Sequence, residues 1–138
     1  MTLSDRLDDA DLPWLNGHRE GALLSVLVAI TGLARAVPTL RDGEAFRYFL
    51  RERYAWSAQV EYRGRVVSFE QLMWKWLRCE LAHRGAMPID VQFFRVDPEP
   101  DDLRIQAGGP PDFCVRISDG WFWWLRLQAQ GALDVGAS

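Results

Sequence analysis

The feature that most constrains this chain is a run of 13 residues, 22–34, in which only Ser25, Thr31 and Gly32 interrupt apolar side chains. A membrane-spanning helix needs about 20 such residues, so the run predicts a helix buried in a protein core. Within it Leu23, Leu24, Leu27, Ile30 and Ala34 recur at steps of three and four, the α-helical period. Asn16 is the expected N-cap and Pro38 the stop, which gives a helix over about 16–36.

The segments around this helix follow from their own punctuation. Residues 1–13 read as a polar lead. Asp42 is the expected cap of a second helix over 43–54, with Phe46, Phe49 and Leu50 on one stripe. Residues 58–67 read as an irregular loop or a short hairpin around Gly64. Ser68, followed three residues later by Gln71, is a capping box that opens a third helix over 69–84. Phe69, Leu72, Met73 and Trp76 form its apolar stripe, and Gly85 and Pro88 end it. Beyond residue 88 the pattern changes to short alternating or β-branched runs at 89–96, 103–107 and 113–117. The turn signals DPEPDD and GGPPD separate them, which predicts a small antiparallel meander. Ser118 is the expected cap of a terminal helix over 118–131. The expected fold class is α+β, one domain over 1–138 with a helical core at 16–84, a β-meander at 89–117 and the terminal helix.

Composition narrows the function. With 16 Lys and Arg against 19 Asp and Glu the net charge is −3, so no overall cationic field attracts nucleic acid. An RNA-directed role must rest on a local cluster. Seven Trp and seven Phe imply a core of large rigid side chains or an aromatic face for a protein partner. Two cysteines, Cys79 and Cys114, and an acidic start, SDRLDDADLP, point to a reduced cytoplasmic protein with no membrane attachment.

Most catalytic signatures are absent: there is no glycine-rich phosphate loop, no G-x-S-x-G elbow, no HExxH and no paired CxxC. His18, Cys79, His83 and Cys114 have the spacing of no zinc finger or ribbon, so neither metal nor cofactor is expected. Cys79 and His83 stand at i and i+4 on one helix side. They read as a thiol with its base, as half a metal site, or as a small buried Cys beside a hydrogen-bonded His, the ordinary outcome of helical spacing. The acidic runs near the start and at 97–102 solvate loops. In the WFWW run at 121–124, consecutive helical residues point about 100° apart and cannot make one stacking platform. Core packing with a partly exposed Trp at a dimer contact is the expectation.

The stretch RCELAH at 78–83 places an Arg, four residues and a His at the end of a capped helix, just before a helix-ending Gly. This resembles the R-x4-H motif of the HEPN superfamily of small helical domains, over residues 17–85. The resemblance implies a ribonuclease-like homodimer from a toxin or phage-defence setting that cleaves RNA without metal, two motif helices lining a shared cleft. It makes His83 the acid/base and Arg78 the charge stabiliser as catalytic residues. Cys79 stands directly after Arg78, where many catalytic members carry Asn or Asp. Around the motif, Lys75, Arg84, Arg63 and Arg65 are the candidate RNA-binding cations.

Helix geometry sets a condition. Five residues at 100° leave Arg78 and His83 about 140° apart around the axis. The long Arg must bend round, or a twofold dimer must bring two copies of the helix together. Whether the chain is an enzyme stays open on the residues alone. The alternative is a non-catalytic module of the same fold whose aromatic surface binds another protein, and a third reading is nucleotide or small-ligand binding between the helices.

Overall fold

The computed structural model describes residues 2–36, 39–53, 58–108 and 114–137. Its N-terminal segment is a helix, α1 (Leu3–Leu15), and not the polar lead its charges suggest. Thr2 and Asp5 cap it reciprocally: Thr2 Oγ1 accepts from the Asp5 amide at 3.1 Å, and the Asp5 carboxylate accepts from the Thr2 amide at 3.0 Å. The acidic residues occupy its outer face, while Leu7, Ala10 and Trp14 are buried.

Helix α2 (Arg19–Ala34) is the apolar run, packed against α1 and three further helices. A helix apolar on all sides is stable only when covered on all sides, and that is its position here. Its start is a correction. Asn16 ends α1 instead of opening α2, and His18 takes the N-cap place with no side-chain capping bond. Helix α3 (Asp42–Arg51) buries Ala45, Phe46, Phe49 and Leu50. Arg41, not Asp42, is at its N-cap, and the Asp42 carboxylate pairs with Arg35 at 3.2 Å instead of capping. Pro38 and Tyr54, the expected ends of two helices, and Phe113, the expected start of a strand, lie outside the described residues.

Strands β1 (Gln59–Tyr62) and β2 (Arg65–Ser68) form the antiparallel hairpin around Gly64. Arg63 and Gly64 both have positive φ, 52° and 76°, as a two-residue turn between right-twisted strands requires. Helix α4 follows over 69–84.

The second sheet is not a meander. Strands β3 (Val91–Phe94), β4 (Ile105–Ala107) and β5 (Val115–Ser118) lie in the order β3-β5-β4, with β3 parallel and β4 antiparallel to β5. Burial explains the order. Val115, Ile117 and Ser118 are buried, whereas Gln92, Gln106 and Ala107 are exposed, so the most apolar strand takes the centre.

Helix α5 (Gly120–Ala137) ends the described chain. Ser118 does not cap it: it is the buried last residue of β5, its hydroxyl donating to the Asp102 carbonyl and accepting from the Arg104 amide, both at 2.7 Å. Gly120 is required at the corner, since a Cβ there would lie 2.5 Å from the Asp102 carbonyl oxygen and 2.6 Å from that of Asp101. Asp119 holds Arg19 in a two-pronged ion pair at 2.9 Å per contact, tying the start of α2 to the β5–α5 corner. Gly131 interrupts nothing, and the helix runs past it to Ala137. The class is α+β, with one apolar core drawn from all five described helices and both sheets. No helix among the described residues is long and apolar enough to cross a membrane.

Candidate functional site

Ser68 starts α4 as expected, its Oγ accepting from the Gln71 amide at 3.2 Å. Beyond Gln71 the helix departs from the α pattern. Leu72–Arg78 is a π-helical stretch with i→i+5 hydrogen bonding, and Cys79–Arg84 returns to α. Such segments recur at functional sites. The wider turn carries an extra residue, so Leu77 instead of Trp76 becomes the fourth member of the buried stripe after Phe69, Leu72 and Met73. Trp76 swings to the edge, where it meets the Tyr62 ring edge-on at 4.9 Å.

Arg78 and His83 diverge as the helical arithmetic requires. Arg78 turns toward α3, its guanidinium carbon 5.0 Å from the Trp74 ring centre. Trp74 packs on Phe46 at 5.2 Å and on the α3 start, where a Cβ at Gly43 would come within 2.6 Å of its indole nitrogen. The Nε of Arg78 is buried without a hydrogen-bond partner. Unpaired buried donors are rare and are worth explaining wherever they occur. His83 is exposed on the last turn. Gly85 ends the helix in the left-handed region at φ 72°. Cys79 is half-buried and free.

The four expected binding cations share one side only in part. Lys75 Nζ lies 4.9 Å from the Trp76 ring, and Arg63 lies 4.9 Å from the Tyr62 ring. The Tyr62–Trp76 contact therefore links Arg63 to Lys75 through two aromatic rings. Arg63 is also held by Asp90 at 2.9 Å, and Arg84 by Glu80 at 3.2 Å, so both have carboxylate partners. The second pair is solvent-exposed and contributes a few tenths of a kcal/mol, about 0.3–0.5. Arg65 is exposed, opposite Tyr62 in the hairpin.

Three residues that the sequence did not single out hold these side chains: Trp74 beside Arg78, and Tyr62 and Asp90 beside Arg63. Tyr62 lies in the 58–67 segment, which reads as an irregular loop or a short hairpin, and nothing in its spacing marks it out. Its phenol donates to Asp90 Oδ1 at 2.8 Å, and Arg63 donates to both carboxylate oxygens at 2.9 and 3.2 Å. Burial first, then the Asp90 carboxylate, pushes the Tyr62 phenol well above its ordinary range. Burial works to raise the Asp90 carboxyl too, but the bonds from Arg63 and Tyr62 outweigh it and hold the group below the usual carboxylate range. A depressed folded-state value means that Asp90 contributes stability above the unfolded carboxylate value of about 3.9, lost as pH falls through the folded one. The urea midpoint of the wild type is therefore expected to fall below about pH 4 more steeply than that of Asp90→Asn. Parallel curves for the two proteins would remove Asp90 as a source of the acid sensitivity.

Among the described residues no three His, Cys, Asp or Glu side chains gather as a metal-binding group. The WFWW run divides as helical geometry demands. Trp121 and Phe122 are buried, stacked on Phe69 at 4.1 Å and on Trp14 at 4.0 Å, while Trp123 and Trp124 are half-buried. No family model matches the chain, and neither a curated protein nor a solved structure does.

Proposed function

We propose that the chain is a HEPN-like, ribonuclease-like domain that acts on RNA in the cytoplasm as a twofold dimer, in a toxin or phage-defence setting. The observation that carries this reading is Arg78: its Nε is buried without a partner, and its guanidinium carbon lies 5.0 Å from the Trp74 ring centre. Arg63 and Arg84, by contrast, are committed to carboxylates. Arg78 makes no ion pair among the described residues, and its planar fork suits the charge of a phosphorane. His83, exposed at the end of the same helix, is accessible to a substrate as the acid/base.

In this reading His83 takes the 2′-hydroxyl proton, and the 2′ oxygen attacks phosphorus. The bond to the 5′ oxygen breaks, and the imidazolium returns the proton to that leaving oxygen. The products are a 2′,3′-cyclic phosphate and a 5′-hydroxyl. Because Arg78 and His83 point apart on one helix, the pairing is made between two copies. Lys75 and Arg65 hold the flanking phosphates, with Arg63 and Arg84 adding charge beside them.

The divergence of Arg78 from His83 favours a second reading, a non-catalytic module of the same fold that binds a protein partner. Purified protein incubated with total RNA in EDTA separates the two. Cleavage that disappears in both Arg78→Ala and His83→Ala supports the enzyme, and intact RNA with folded proteins supports the module.

A further inference from the structure

A groove of about 670 Å³ lies between α1, the turn at 101–103 and the first half of α5. None of its lining residues is on α4, so it is separate from the Arg78 and His83 surface. Leu103, Trp123, Trp124 and Leu127 form its apolar floor, and Asp11 and Asp101 stand at its walls. Leu127 is 64% exposed, an unusual setting for a Leu beside two half-buried Trp side chains. Leu15, one turn beyond Asp11 on the same side of α1, is 70% exposed.

Carboxylates outnumber cations at this groove. Its single cation, Arg126, is only 15% exposed and is already held by Asp8 at 3.2 Å and Asp11 at 3.0 Å, with Gln130 as a third partner at 2.9 Å. Asp101 is exposed and makes no ion pair among the described residues. Asp8 and Asp11 together outweigh the one guanidinium they share. The groove is thus apolar at its base and acidic at its edge, and it runs between the flanks of two helices, where a third helix packs naturally.

We propose that this groove docks an amphipathic, basic helix of another protein. Leu, Phe or Met side chains at i, i+3, i+4 and i+7 enter between Trp123, Trp124 and Leu127, and Lys or Arg side chains at the helix edges meet Asp101 and the Asp8–Asp11 pair. Aromatic side chains at the centre of such a site carry most of the affinity, and the carboxylates set the sign of the partner. The docking is independent of RNA cleavage at α4.

The test is a display selection of 20-residue helical peptides on the full chain, followed by anisotropy titration of the enriched, labelled peptides. The expected result is enrichment of apolar residues at helical spacing together with Lys and Arg. Affinity should fall at least about tenfold in Leu127→Asp and about threefold in Asp101→Asn, with strong weakening by salt. Leu127 and Asp101 are exposed, so both variants keep the core, which matched melting temperatures check. Failure to enrich any peptide, enrichment of acidic peptides, or binding indifferent to both substitutions overturns the proposal. So does a wild-type dimer in light scattering that Leu127→Asp converts to monomer, since the groove would then be filled by a second copy.

Discussion

Gly120→Ala is expected to destabilise the protein by about 3 kcal/mol, the upper end of the cost of overpacking a close-packed site. The Cβ it adds would meet the Asp101 and Asp102 carbonyl oxygens, which are backbone atoms and cannot rotate aside. Moving them also disturbs the Ser118 hydroxyl, which donates to the Asp102 carbonyl, and the neighbouring Asp119, which holds Arg19. The check is urea unfolding beside Gly131→Ala as a control. Gly131 lies in the same helix with open space where its Cβ would go, so Ala there is expected to raise stability by about 0.5–1 kcal/mol. Equal midpoints for Gly120→Ala and the wild type would mean that the 101–102 turn yields freely and is not the fixed point of the β5–α5 corner.

The second large effect is on activity. His83→Ala removes an exposed side chain and is expected to leave stability unchanged while lowering RNA cleavage by about 10²–10⁴-fold, the usual contribution of a positioned acid/base. Arg78→Lys keeps the charge but loses the planar fork and its place over the Trp74 ring, so cleavage is expected to fall there as well. Mixing inactive Arg78→Ala with inactive His83→Ala carries the most information. If the reacting pair comes from two copies, mixed dimers contain one intact site and recover part of the activity. A mixture as inactive as its components, formed from proteins shown to exchange subunits, would exclude pairing across the dimer.

The sequence was legible where local chemistry decides the outcome. Helix α2 follows from its apolar run, the hairpin from Gly64, and the limits of α4 from the Ser68 cap and the left-handed Gly85. Helix α1 was obscured by its charge, although Thr2 and Asp5 already had capping-box spacing and Leu3, Leu7, Ala10 and Trp14 recur at helical steps. The sheet order was not legible at all. Which strand lies between the others is a matter of long-range burial, and no turn signal encodes the parallel pairing of β3 with β5. The site divides in the same way. The opposed directions of Arg78 and His83 follow from counting residues, but the Asp90 anchor of Tyr62 and Arg63 joins positions 27 and 28 apart in the chain. The π-helical stretch that puts Leu77 in the core, and Trp76 at its edge, has no signature in residue spacing.

The parallel pairing also bears on the order in which the molecule assembles. Val91 meets Val115, 24 positions further along, so the chain must close a long loop before β3 and β5 exchange a hydrogen bond. The α1–α2 pair, by contrast, closes through the short turn at Asn16 and Gly17. Local contacts form sooner, and the helices are therefore expected to carry the folding nucleus with the sheet consolidating behind them. In stopped-flow chevrons Leu27→Ala should slow folding, while Ile117→Val should mainly speed unfolding. The reverse pattern would place the barrier in the sheet. In the expected order β5, which sits between its two partners and leads directly into α5, is the strand on which the last tertiary contacts wait.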